Sequence, residues 1–173
     1  MKTPQVQVNS GDIARFPADA LITAINSGGM WAGGIDGVIV RNAGDSFHKQ
    51  AAAAMPLSHG QVVIAKGNGG NRAAFKDVVF VVDDLQGRLS DIVYNGLVGA
   101  SKAGYTAVAL PTIRMGVMLG VVEKSTEEAV NEMVDAVRRF NADNPQTSIE
   151  TITFVVYNDK ATQSLLQSGF QTH

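Results

Sequence analysis

The stretch Asp19–Gly44, DALITAINSGGMWAGGIDGVIVRNAG, decides how this chain is read. Its apolar run Ala20-Leu21-Ile22 predicts a buried strand that ends at Asn26-Ser27. Gly28, Gly29, Gly33 and Gly34 fill the loop that follows. Ile35, Val38 and Ile39 then recur at helical spacing, which predicts a helix beginning near Gly34. A strand that runs through a glycine-rich loop into a helix is an anion-binding arrangement. Without Cβ atoms the loop's N–H groups can approach a ligand, and the helix start adds unpaired donors and partial positive charge. The spacing matches neither GxxxxGK[ST] nor GxGxxG, which argues against a P-loop kinase and a dinucleotide dehydrogenase.

Outward from this stretch the pattern alternates. Gln5–Val8 has strand period, and Asn9–Asp12 is a turn signal. Downstream, Asp45 is placed to cap a short helix through Ala51–Ala54, ended by Pro56. Strands are predicted at Gln61–Ala65, Val78–Val82, Ala107–Leu110 and Ile152–Tyr157. Gly67–Asn71 reads as a mobile loop. Leu89, Ile92, Val93, Leu97 and Ala100 share one helical face, closed by Gly104. A longer helix spans Ser125–Phe140, with Ser125 or Thr126 as its cap and Glu127 and Glu128 early, where the helix dipole favours acids. The last helix covers Ala161–Gln167. Strands alternating with helices predict a mostly parallel sheet covered on both faces, in which ligands sit beyond the strand C-termini. Those ends carry Asn26, Asp83-Asp84, the Arg114–Gly120 loop and Tyr157.

Composition sets outer bounds. The 173 residues fit one domain, 1–173, and 45% hydrophobic with 17% charged residues is the balance of an ordinary globule. A net charge of −2 with no Lys/Arg run gives no footprint for nucleic acid or an anionic membrane. No cysteine is present, so disulfides and thiolate chemistry are excluded. His48, His59 and His173 lack metal-ligand spacing and read as structural or solvated, and no metal or cofactor is expected. No apolar leader opens MKTPQVQVNSGD, and the expected setting is cytoplasmic.

Each candidate site residue also has a plainer reading. Asn26 caps the following turn or bonds a sugar hydroxyl. Asp36 complements the helix dipole or serves as a general base. Asp12 is a turn residue by default, and Tyr157 is core or a stacking face. Trp31, inside the glycine loop, either tucks back over the helix or forms a wall of the site.

With these residues in view, the chain resembles the macro domain family, binders and in some members hydrolysers of ADP-ribose, of the ADP-ribose-1''-phosphate processing type. Gly11-Asp12-Ile13 resembles the family's GDI turn and Asn26-Ser27 the end of its NAAN strand. Gly33–Gly37, running on to Arg41–Gly44, is similar to its GGGVDGAIhRAAG loop and helix. His59-Gly60, Leu110-Pro111 through Gly116-Val117, and Val155–Tyr157 match three further motifs. Singly these are weak; six in chain order are specific.

The resemblance implies a three-layer α/β/α fold with an ADP-ribose cleft across the strand ends. In that cleft Asp12 and the Ile13 backbone would hold adenine and Tyr157 would stack on it. Gly33, Gly34, Gly116 and Val117 would give N–H groups to the diphosphate, and Ile35, Arg114 and Met118 complete the ligand-facing set. Asn26 would hold the distal ribose and Asp36 would activate a water, releasing ADP-ribose from a modified substrate. The implied partners are ADP-ribose or an ADP-ribosylated protein. The chain departs from the pattern at Thr23 and Ile25, at Met30-Trp31-Ala32, at Arg114-Met115, at Met118-Leu119, and at Asp83-Asp84 in place of Gly-Pro. Arg114 has two readings here, a partner for phosphate or a partner for Asp83 and Asp84. Two other functions stay open: a non-enzymatic reader, and an interaction module whose cleft is partly closed.

Overall fold

A computed structural model describes residues 3–28, 34–114 and 119–171, with the side chain of Asp36 outside the description. Among the described residues six strands form one sheet: β1 (Gln5–Ser10), β2 (Ala18–Ile25), β3 (Val62–Ala65), β4 (Phe75–Val82), β5 (Ala107–Leu110) and β6 (Thr151–Val156). Their order across the sheet is β1-β6-β5-β2-β4-β3. All neighbours are parallel except β3, which runs antiparallel to β4 at the edge. The α-helices among the described residues are α1 (Gly34–Ala43), α2 (Ser46–Ala53), α3 (Leu89–Lys102), α4 (Thr126–Asp143) and α5 (Lys160–Gln171).

Strand β2 shows why the fold has three layers. Successive side chains of a strand point to opposite faces. Ala20, Ile22 and Ala24 join the core under α3, α4 and α5, which contribute Leu89, Ile92, Leu97, Met133, Val137 and Leu166. Leu21 and Ile25 face the second core, where α1 and α2 bring Ile39, Ala43, Phe47 and Ala51. Both faces are buried, so the strand reads as a mostly apolar run from Ala20 to Ile25, interrupted by the buried Thr23. Where α3 crosses the sheet, the helix comes so close that a Cβ on Gly96 would lie 2.5 Å from Ile22 Cγ2 and 3.1 Å from Val81 Cγ2.

The expected elements appear with shifted ends. β4 starts at Phe75 rather than Val78, β2 at Ala18, and α5 extends to Gln171. Ser125 does cap α4, its Oγ accepting from Glu128 N–H at 3.1 Å. Asp45 precedes α2 without a side-chain cap bond; its carboxylate instead pairs with Lys49 at 3.4 Å. The 67–71 segment, expected to be mobile, is tied down: Gly67 N–H donates to Asp77 Oδ1 at 2.8 Å and Asn71 Nδ2 to Phe75 O at 2.9 Å.

Candidate functional site

The sheet opens at its centre. β5 ends at Leu110, level with Phe154, while β6 continues to Val156 and β2 to Ile25. Beyond that level, among the described residues, Val155 and Val156 pair only with β1 and Ile22–Ile25 only with β4. The C-terminal rim is thereby forked, with β1 and β6 on one prong and β2 and β4 on the other. The fork lies where the chain order changes direction across the sheet, between β5 and β2, the place where such sheets bind ligands.

Asp12 and Tyr157 stand on the first prong. Gly11 N–H donates to Val156 O at 3.0 Å, which ties the turn after β1 to the end of β6. Asp12 caps the short 3-10 turn Ile13–Arg15, its Oδ1 accepting from Ala14 N–H at 2.9 Å. The turn reading is therefore real, yet the Asp12 side chain remains 45% exposed, with Oδ2 3.9 Å from Arg15 Nε. Ile13 is buried below it. Tyr157, immediately after β6, is 76% exposed and is not a core residue.

Asn26 stands on the second prong, next after β2. Its Oδ1 accepts from Gly28 N–H at 2.9 Å, the turn-capping role. Ser27 N–H donates to Asp84 Oδ1 at 2.8 Å, and Asp84 N–H donates to His59 Nδ1 at 2.9 Å. That bond fixes the His59 tautomer, since an accepting Nδ1 carries no proton. The backbone of α1 starts at Gly34 and carries Ile35 and Asp36 in its first turn. Trp31, Gly33, Gly116, Val117 and Met118 lie outside the described residues.

Arg114 departs from its place among the ligand-facing residues. It is 2% exposed, at φ 60°, and its guanidinium is bound inside the protein. Nε and Nη2 meet the two oxygens of Asp83 at 2.9 and 2.8 Å, and Nη1 donates to Gly87 O at 2.7 Å and to Glu123 Oε1 at 3.0 Å. Burial works against the charge, but the bonds and field of Asp83 and Glu123 raise the Arg114 pKa above its ordinary value. Of the two readings open for it, Arg114 takes the acid, and of the two acids only Asp83. Glu123 was missed, because nothing in its spacing marks an acid that also accepts from Leu89 N–H at 3.0 Å.

A family model described as Macro domain matches residues 22–129. The chain belongs to the macro domain family. An O-acetyl-ADP-ribose deacetylase of Escherichia fergusonii is 30% identical, the match covering 90% of this chain and 90% of that protein. A macro domain-containing protein of Cupriavidus necator is 31% identical over 92% of this chain and 94% of that protein. Among solved structures, an Oceanobacillus iheyensis macrodomain superposes with TM-score 0.78 at 18% identity, covering 98% of this chain and 92% of that one. A Trypanosoma brucei macrodomain in complex with ADP-ribose gives TM-score 0.79 at 18% identity, covering 95% and 68%. At those identities the structures speak for the macro domain fold. Among the described residues no cluster of His, Asp or Glu could hold a metal ion, and no helix is long and apolar enough to cross a membrane.

Proposed function

We propose that this macro domain binds ADP-ribose across the forked rim. The observation that carries the reading is the fork itself, with Asp12 and Tyr157 on one prong and Asn26 on the other. Strands about 4.8 Å apart put the β1 end about 15 Å from the β2 end, a span suited to an elongated ligand rather than a single phosphate. Tyr157 offers an exposed ring for a base, and Asp12 a half-exposed acceptor for an amino group. The start of α1 at Gly34 supplies N–H donors for a diphosphate. With a net charge of −2 and Arg114 committed elsewhere, the phosphates are held by backbone donors rather than by a cationic clamp.

The hydrolytic form of this reading adds Asn26 to orient the distal ribose and Asp36 to take a proton from the attacking water. It is supported by the presence of both residues and by relatives named O-acetyl-ADP-ribose deacetylases. The natural substrates to try are ADP-ribose esters and ADP-ribosylated proteins, and the expected setting is the cytoplasm.

Isothermal titration with ADP-ribose tests the binding. A micromolar dissociation constant, about 8 kcal/mol, is expected. Asp12→Asn separates the two roles of that carboxylate, because the amide oxygen can still cap Ala14 while the charge is gone. Titration without heat or competition at millimolar ADP-ribose overturns the reading. Loss of ester turnover in Asn26→Ala and Asp36→Ala, with binding retained, supports the catalytic form; full turnover in both removes them from it.

A further inference from the structure

The pair Asp83-Asp84, which follows β4, points two ways. In extended backbone consecutive side chains face opposite sides. Asp83 turns inward and takes the guanidinium of Arg114, at the foot of the loop after β5. Asp84 turns toward β2 and accepts from Ser27 N–H at 2.8 Å, one residue beyond Asn26. Two bonds hold this dipeptide from behind. The Asp84 N–H is taken by His59 Nδ1, and Leu85 N–H folds back onto Asp83 Oδ1 at 2.9 Å, with Leu85 at φ 60°. The dipeptide is thus a bracket between the loop after β2 and the loop after β5, which lie on either side of the switch point.

Two acids beside a diphosphate site would by charge alone weaken anion binding. The geometry gives them a different role. Asp83 is ion-paired with Arg114, which it shares with Glu123, and Asp84 spends an oxygen on the loop that carries Asn26. We infer that Asp84 is a positioning residue, setting the Asn26 turn through Ser27 so that the cleft distinguishes a ligand with a distal ribose from one without. This rests on the ADP-ribose reading above. Its effect belongs to the β2 prong and leaves the Asp12–Tyr157 prong untouched.

The test compares ADP-ribose with ADP, which lacks the distal ribose, on wild type, Asp84→Ala and Asp84→Asn. Asp84 is only half-buried, so both variants are expected to fold, and thermal midpoints check this. Losing one loop-setting hydrogen bond should weaken ADP-ribose by about three- to tenfold in Asp84→Ala. ADP should bind Asp84→Ala as well as wild type, or better. Asp84→Asn keeps an acceptor oxygen for Ser27 and should restore ADP-ribose binding to the wild-type level or above. Tighter ADP-ribose binding in both variants would mean that Asp84 is only a repelling charge, and overturns the inference. So does an equal loss for both ligands, the mark of general structural damage, or no change at all. Failure of wild type to bind ADP-ribose is a different result and removes the parent reading with it.

Discussion

Asp83 and Arg114 face each other in a two-point ion pair, Nη2 to Oδ1 at 2.8 Å and Nε to Oδ2 at 2.9 Å, with both side chains essentially out of solvent. Planar, bidentate recognition of this kind is what a guanidinium supplies and an ammonium does not. The pair fastens the end of β4 to the loop after β5, and Glu123 closes it from the far side. Removing Arg114 leaves two buried carboxylates without their cation. Arg114→Met is therefore expected to cost about 3–5 kcal/mol of stability. Arg114→Lys should recover little of it, since one ammonium cannot reproduce both contacts with Asp83. Urea unfolding of the variants measures the loss, and a cost below about 1 kcal/mol would show that the network contributes little. Changing Asp83 and Arg114 together is expected to recover only part, because Glu123 stays buried.

Gly96 gives a prediction opposite to helix propensity. It lies inside α3, where alanine ordinarily gains about 1 kcal/mol over glycine. Here an added methyl would strike Ile22 Cγ2 at 2.5 Å, within the packed core between α3 and the sheet. Gly96→Ala should destabilise by about 1–3 kcal/mol, the ordinary result of overpacking. A variant as stable as wild type in chemical unfolding would show that α3 can lift off β2 at no cost.

These two sites mark where sequence reading succeeds and where it stops. The layers were legible because burial is periodic: Leu89, Ile92, Val93, Leu97 and Ala100 repeat at helical spacing, and all five are buried. Asp12, Asn26 and Tyr157 were legible as residues just beyond strand C-termini because a strand end is a local feature of the chain. Arg114 was misplaced, and Glu123 missed, because their partners are 31 and 9 residues away from Arg114 and depend on how two loops fold back. A charged residue in a loop looks solvated until its partners are known. The Asp84–Ser27 contact spans 57 residues and joins a side chain to a backbone N–H, which no residue pattern encodes. The early end of β5 is likewise a matter of register, set by pairing rather than by the composition of Ala107–Leu110.

Asp19 sets an acid limit to stability. Its Oδ2 accepts from Thr106 N–H at 2.9 Å, Thr106 Oγ1 at 2.8 Å and Ala107 N–H at 3.0 Å, so it holds the start of β5 against β2. Partial burial would raise its pKa, but the bonds from Thr106 and Ala107 and the field of Lys76 outweigh this and lower it. The pKa of a group like this is lower in the folded protein than in the unfolded chain. It adds stability above the unfolded value of about 4 and gives it up as pH falls through the lower folded value. Asp77 and Asp159, also lowered, add to the same slope. Asp19→Asn should be less stable than wild type at pH 7 and should lose less on acidification below about pH 4. Thermal midpoints of the two proteins at both pH values decide it; parallel losses would remove Asp19 from the acid response.

Tyr157 separates a binding role from a structural one most cleanly, because it is 76% exposed directly after β6. An exposed ring contributes little to the core, so its removal should leave the thermal midpoint nearly unchanged. If it is the platform for a base, Tyr157→Ala should weaken ADP-ribose binding by about 1–3 kcal/mol, the usual worth of one base stacked on an aromatic side chain. Tyr157→Phe keeps the ring and should bind like wild type. ADP should lose as much as ADP-ribose in the alanine variant, since both carry adenine, which is the reverse of the pattern expected for Asp84→Ala. Calorimetric titration of both ligands reads the contrast directly. If phenylalanine is as poor as alanine, the hydroxyl rather than the ring makes the contact. If neither variant changes affinity, Tyr157 is not the platform for the base.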